Sequence, residues 1–306
     1  MSVAQTTVDH TDANSVLMRR VAFAAVGTAS FLVLLKTVAF VLTGSIAMMA
    51  SLADSALDVI ASFVNLLAIR HALTPADAEH RFGHGKAEPL AGLAQSAFIG
   101  GSSVFLVIES VRRIIEPHII HRGDAGLLVM GVSIVVTIVL VAAQQITVRR
   151  TGSIAIGADR MHYVSDILVN AGVALGIVLA SKFGITVADP AVGLLVAGVL
   201  AVGVWQVFRQ SYDQLMDREL PDAERARIEN IVMRHPDVRN VHDLRTRAAG
   251  TTAFIQLHIE LDPAISLLRS HAVSDEVEAA VLQAFPKAEV IIHQDPQGYG
   301  APEGLP

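Results

Sequence analysis

The chain has 306 residues, 52% of them hydrophobic and only 17% charged, with a mean hydropathy of +0.51. That is too apolar for a soluble domain of this length and indicates several membrane spans. A formal net charge of −6 argues against a nucleic-acid partner, and the lack of cysteine excludes disulfides and thiolate ligands.

Any metal bound here must use His, Asp, Glu, backbone or water, and 12 histidines supply nitrogen. Residues 1–20 read as an N-terminal tail, polar and without apolar periodicity, and carry no secretory cleavage pattern. A six-helix transmembrane domain is expected over 21–216. Its first span, 21–44, contains Lys36. That lysine either snorkels toward an interface or acts beside intramembrane carboxylates.

The second span, 45–70, carries Asp54 and Asp58 in its middle. Four residues apart, they share one helix face. A carboxylate at the bilayer centre costs about 2.5–3.5 kcal/mol, so a pair of them calls for a cation. The loop 71–87 holds Asp77, His80 and His84, with Gly83 and Gly85 between and beside them. That spacing can close around one cation, and it equally suits a solvated loop rich in histidine.

The third span covers 88–115, and a loop with His118, His121 and Arg122 follows. The fourth covers 125–148. The fifth, 158–184, repeats the logic of the second: His162 and Asp166 are again four apart. Two helices meeting along these faces bring together three carboxylates and one imidazole. Four such ligands in a dry pocket suit a tetrahedral divalent metal, zinc first. Gly172 and Gly176 form a pattern that favours close helix packing. The sixth span covers 189–212. Six spans put both termini on one side, and Arg19, Arg20, Arg70, Arg149 and Arg150 mark that side as cytoplasmic.

From 217 to 296 the composition turns charged and alternating. The order helix, strand, strand, helix, strand suits a small α+β domain. On 252–262, Ile255, Leu257, Ile259 and Leu261 take one face, with Gln256, His258 and Glu260 on the other. His242, His258, His271, His293 and Asp295 make this a candidate second metal domain. Residues 297–306 read as a C-terminal tail.

Asp54-x-x-x-Asp58 with His162-x-x-x-Asp166 resembles the cation diffusion facilitator family, in particular its bacterial zinc and ferrous-iron efflux branch. The segments DAEHRFGHGKAEPLAGLAQS, VHDLRTR, FIQLHIEL and VIIHQDP carry the same resemblance. It implies a homodimer with six transmembrane helices and a ferredoxin-like, metallochaperone-like cytoplasmic domain, placed in the bacterial inner (plasma) membrane. It implies a metal/proton antiporter rather than an enzyme, with protons as counter-substrate. Zn(II) is the expected cargo, with Cd(II), Fe(II) and Mn(II) also accepted. It further implies a transport site of Asp54, Asp58, His162 and Asp166, and a loop site of Asp77, His80 and His84. A binuclear cytoplasmic site would use His242, His258, His271, His293 and Asp295. Membrane lipid and divalent ions are the other expected partners. The alternative function is a membrane-bound metal sensor without transport.

Overall fold

The computed structural model describes residues 3–43, 46–115, 124–183 and 188–298. His118, His121 and Arg122, the turn at Gly44 and most of the expected C-terminal tail lie outside the described residues. Contacts divide the chain into a helical unit, 12–212, and a unit built mainly from Asp213 onward.

The first six elements are α1 (Val3–Thr43), α2 (Ile46–Ala72), α3 (Ala87–Ile115), α4 (Asp124–Thr151), α5 (Ile154–Phe183) and α6 (Ala188–Leu215), which supply the helical unit. Among the described residues, α1, α2, α3, α4 and α6 each hold a stretch long and apolar enough to cross a bilayer. Helix α5 carries Asp159, Arg160 and Asp166 and packs against α2, α3 and α4. Its neighbours shield the charges that an isolated span could not carry.

Helix α1 begins at Val3, so the stretch expected as an irregular tail is helical. Residues 3–20 contain neither Gly nor Pro, and extending a helix already nucleated by its apolar span costs little. Met18, Val21 and Ala22 of α1 then pack with Leu66 and Ile69 of α2, Ala91 of α3, and Ala155 and Ile156 of α5. The outward faces present Phe63, Leu67, Val104, Phe105, Val139, Leu195 and Trp205. So large an apolar exterior is a liability in water and the required surface in lipid.

The start of α5 is fixed by a buried acid. Gly152, at φ +69°, ends α4, and Ser153 Oγ accepts from the Ile156 N–H at 3.3 Å. Ser153 also donates to Glu88 Oε2 on α3, which takes the Ala155 N–H at 3.4 Å. A carboxylate at a helix N-terminus complements the helix dipole. At its other end α5 meets α6 closely: a Cβ on Gly172 would stand 3.1 Å from Val196 Cγ2.

The second unit contains α7 (Asp222–Val232), β1 (Asn240–Ala249), β2 (Thr252–Leu261), α8 (Leu267–Ala284) and β3 (Ala288–Pro296). The sheet order is β1-β2-β3, with β1 antiparallel and β3 parallel to the central β2. Ile255, Leu257, Ile259 and Leu261 are buried with Ile228 and Val232 of α7 and Val273, Val277 and Val281 of α8. The helices thus cover the apolar sheet face, and the period-two pattern leaves the other face polar.

Candidate metal centres

In the helical unit, α2 and α5 bring Asp58, His162 and Asp166 together. His162 Nε2 lies 3.0 Å from Asp58 Oδ1 and 3.9 Å from Asp166 Oδ2. Asp58 and His162 are buried, and each residue offers one ligand atom within 4.8 Å of the others. The rings of Phe98 and Tyr163 stand edge-on to the imidazole at 5.5 Å. Asp54, one turn before Asp58 on α2, is exposed and lies outside this group of three.

One turn before His162 on α5 is a polar layer that the sequence reading passed over. Asp159 is buried and accepts from Gln144 Nε2 on α4 at 2.7 Å and from Gln95 Nε2 on α3 at 3.5 Å. Ser62 Oγ on α2 shares a 2.7 Å hydrogen bond with Tyr163 Oη, which donates to Ala25 O on α1 at 3.2 Å. Five helices are therefore cross-linked beside Asp58 and His162. The signal was present: Asp159 is a second carboxylate in the apolar segment that carries Asp166, and intramembrane acids merit a functional reading by default.

The loop between α2 and α3 folds back on itself. Asp77 Oδ1 accepts the backbone N–H groups of His80 at 2.7 Å and Glu79 at 2.9 Å. These amides, His80 first, hold the Asp77 carboxyl below its usual range. Gly83, at φ +74°, makes the reversal that returns His84. His84 Nε2 then lies 3.4 Å from Asp77 Oδ2, and His80 Nδ1 3.6 Å from Asp77 Oδ1. His84 is buried, with Nδ1 3.3 Å from Thr74 O. A proton on Nδ1 would leave Nε2 as the lone-pair donor.

In the α+β unit the strand register does the assembling. His242 pairs with His258 across β1 and β2, and His258 pairs with His293 across β2 and β3. Three imidazoles thus form one rung on the polar face. Asp295, two residues beyond His293, reaches all three. Its Oδ2 is 2.9 Å from His258 Nδ1 and 3.3 Å from His242 Nε2, and its Oδ1 is 3.3 Å from His293 Nε2. Both ring nitrogens of His242 are shut off from solvent without a hydrogen bond. Buried imidazole nitrogens that face carboxylates without a hydrogen bond are suited to an ion.

His271 rises from α8, and its Nε2 lies 3.7 Å from Asp275, both side chains being exposed. It is not in the group that unites His242, His258 and Asp295. Asp243, by contrast, was missed. Strand alternation would turn it away from His242, but a bulge follows and its φ is +47°. Its Oδ2 consequently stands 3.7 Å from His258 Nε2. Gln294 is tied to α8, accepting from Ser270 at 2.8 Å and donating to Ser274 at 2.7 Å.

The model for the cation efflux transmembrane domain matches residues 22–216, and that for the cation efflux protein cytoplasmic domain matches 220–297. The chain belongs to the cation efflux family. It is 44% identical over 283 residues to the cation-efflux pump FieF of Pectobacterium carotovorum subsp. carotovorum, covering 92% of this chain and 93% of that one. The cation-efflux pump FieF of Salmonella typhimurium is likewise 44% identical over 283 residues, with the same coverage. Among solved structures, the zinc form of the transporter CzrB is 33% identical, covering 28% of this chain and 99% of that one at a TM-score of 0.27. A cadmium form of the MamM C-terminal domain is 27% identical, covering 25% and 96% at 0.24. Membership and the apolar helices make this cation efflux protein an integral membrane protein with a cytoplasmic domain. The family consists of transporters.

Proposed function

We propose that this chain is a metal/proton antiporter that exports Zn(II) from the cytoplasm, with Cd(II), Fe(II) and Mn(II) as further cargoes. It works as a homodimer in the bacterial inner membrane, with both termini cytoplasmic. The observation that carries the reading is the buried meeting of Asp58, His162 and Asp166 between two membrane helices. A sensor can hold its ligands in a soluble domain, whereas this one spends intramembrane charge on them.

Asp54 joins as the fourth ligand when its side chain turns along α2 toward Asp58. An empty site of three carboxylates cannot stay fully ionised in low dielectric, so protons take the place of the departing metal. His162 and its carboxylates hold those protons on the same lone pairs that bind the ion. Rocking of helices around a midplane site then opens it to each side in turn. Asp77, His80 and His84 form a second site at the loop. His242, His258, His293 and Asp295 form the cytoplasmic site that stabilises or regulates the dimer, and His271 is the proposed ligand that this geometry supports least. The FieF relatives are named as cation-efflux pumps, which supports cation export as the reading for this chain.

The test is purified protein in sealed vesicles, with each divalent metal offered under an imposed pH gradient. Zinc flux that follows the gradient and is lost in Asp58→Ala is expected. Zinc binding without flux would favour the sensor.

A further inference from the structure

Lys36 does not snorkel. It lies inside α1, is 9% exposed, and points its ammonium at α2. Nζ donates to Ser55 Oγ at 2.6 Å and to Ser51 O at 3.2 Å. These two residues bracket Asp54 on the turn that precedes Asp58. The ammonium also acts electrostatically on Asp54 and on Asp166 of α5. A charged lysine with its stem buried and its head bonded to the ligand-bearing helix is costly to keep in a membrane. Two α2 oxygens offset part of that cost and fix where the charge sits.

We propose that Lys36 is a specificity-determining counter-charge for the membrane metal site. The inference rests on the transport-site reading of Asp54, Asp58, His162 and Asp166. Three carboxylates, a neutral imidazole and one divalent ion leave a single negative charge. The Lys36 ammonium cancels it, so the loaded site is electrically neutral and crosses the low-dielectric interior at least cost. A monovalent ion would leave the site negative, and a trivalent one would leave it positive. The same fixed charge repels the bound cation and keeps it from being held too tightly to release. Lys36 is not a ligand: it acts through the field it adds to the carboxylates.

The sign of this effect separates it from a packing role. Removing a repulsive charge strengthens metal capture, whereas loosening α1 against α2 weakens it. The experiment measures zinc flux in vesicles for Lys36→Met, Lys36→Gln and Lys36→Arg, with Asp58→Ala as the reference. Lys36→Met keeps the stem and removes a buried charge, so it should insert and dimerise. Lys36→Gln keeps a polar head for Ser55 should the methionine variant fail to fold. Both neutral variants should lower the KM for zinc roughly tenfold and slow turnover by a similar factor. Lys36→Arg should stay within about threefold of the parent on both. A raised or unchanged KM in the neutral variants would overturn the counter-charge while leaving the transport site intact. Undiminished flux in Asp58→Ala would instead remove the site itself, and the inference with it.

Discussion

At the scale of single residues, the 3.0 Å contact between His162 and Asp58 joins two helices through side chains proposed as metal ligands. Asp58→Ala or His162→Ala should abolish zinc flux while the protein still inserts and dimerises. Near-normal flux in either variant would remove the assignment. Asp159 belongs to the support of that pair. Asp159→Asn keeps a hydrogen-bonding group of the same shape, so flux should fall only about tenfold with little change in melting temperature. Asp159→Ala leaves Gln144 without its buried acceptor and should also melt lower, by about 1–3 kcal/mol of stability. Thermal melts of the two variants beside their flux check this. The meeting of Asp58, His162 and Asp166 was legible from i, i+4 spacing, because a helix converts that spacing into a shared face. Asp159 was not singled out because its partners Gln95 and Gln144 come from two other helices. Asp54 shows the converse: spacing places it on the face of Asp58, yet its side chain stays outside the group.

At the scale of elements, helix contacts set what each position tolerates. A Cβ on Gly92 of α3 would overlap Ser211 Oγ of α6 and stand 3.0 Å from Ile154 Cγ2 of α5. Gly92→Ala should cost about 1–3 kcal/mol and lower the melting temperature. At Gly203 the added carbon meets only the flexible end of Met161, so Gly203→Ala should be milder. In the α+β unit, Glu276 of α8 is 2.8 Å from His235, just past α7, and 2.8 Å from Arg269. The hydrogen bond from His235, and then that from Arg269, hold its carboxyl below the ordinary value. A depressed folded-state value stabilises at neutral pH, and the effect is lost as pH falls through that value. Glu276→Gln should therefore melt slightly lower than the parent at pH 7, and the gap should close below about pH 4. Melting curves across pH check the sign. The amphipathic elements here were readable because one face of β2 is wholly apolar. The bulge at Asp243 was not, since a left-handed residue inside a strand leaves no mark in a period-two pattern. The helical start of α1 escaped for a related reason: helix extension into polar residues has no hydrophobic period to reveal it.

At the scale of the whole molecule, the cytoplasmic rung should behave as a stabilising ligand site. Zinc that binds the folded domain and not the unfolded chain raises its melting temperature by linkage. Imidazoles bind metal only when neutral, so the gain should fade as pH falls through about 6.5. Calorimetry with and without zinc checks this. If His258→Ala and Asp295→Ala leave the shift unchanged, the rung is only a histidine-rich surface. The order of a helical part followed by an α+β part was legible in the change of composition along the chain, since lipid and water demand opposite exteriors. The rung itself was not, because pairing between β1, β2 and β3 is set by the fold and not by distance along the chain. That register has an evolutionary corollary. One extra residue within 253–258 would turn His258 onto the apolar face and slip it past both His242 and His293, so lineages should keep the lengths of these strands fixed. The turn at Gly250 and Thr251 joins β1 to β2 outside the rung, and there insertions and deletions can accumulate without parting the three histidines.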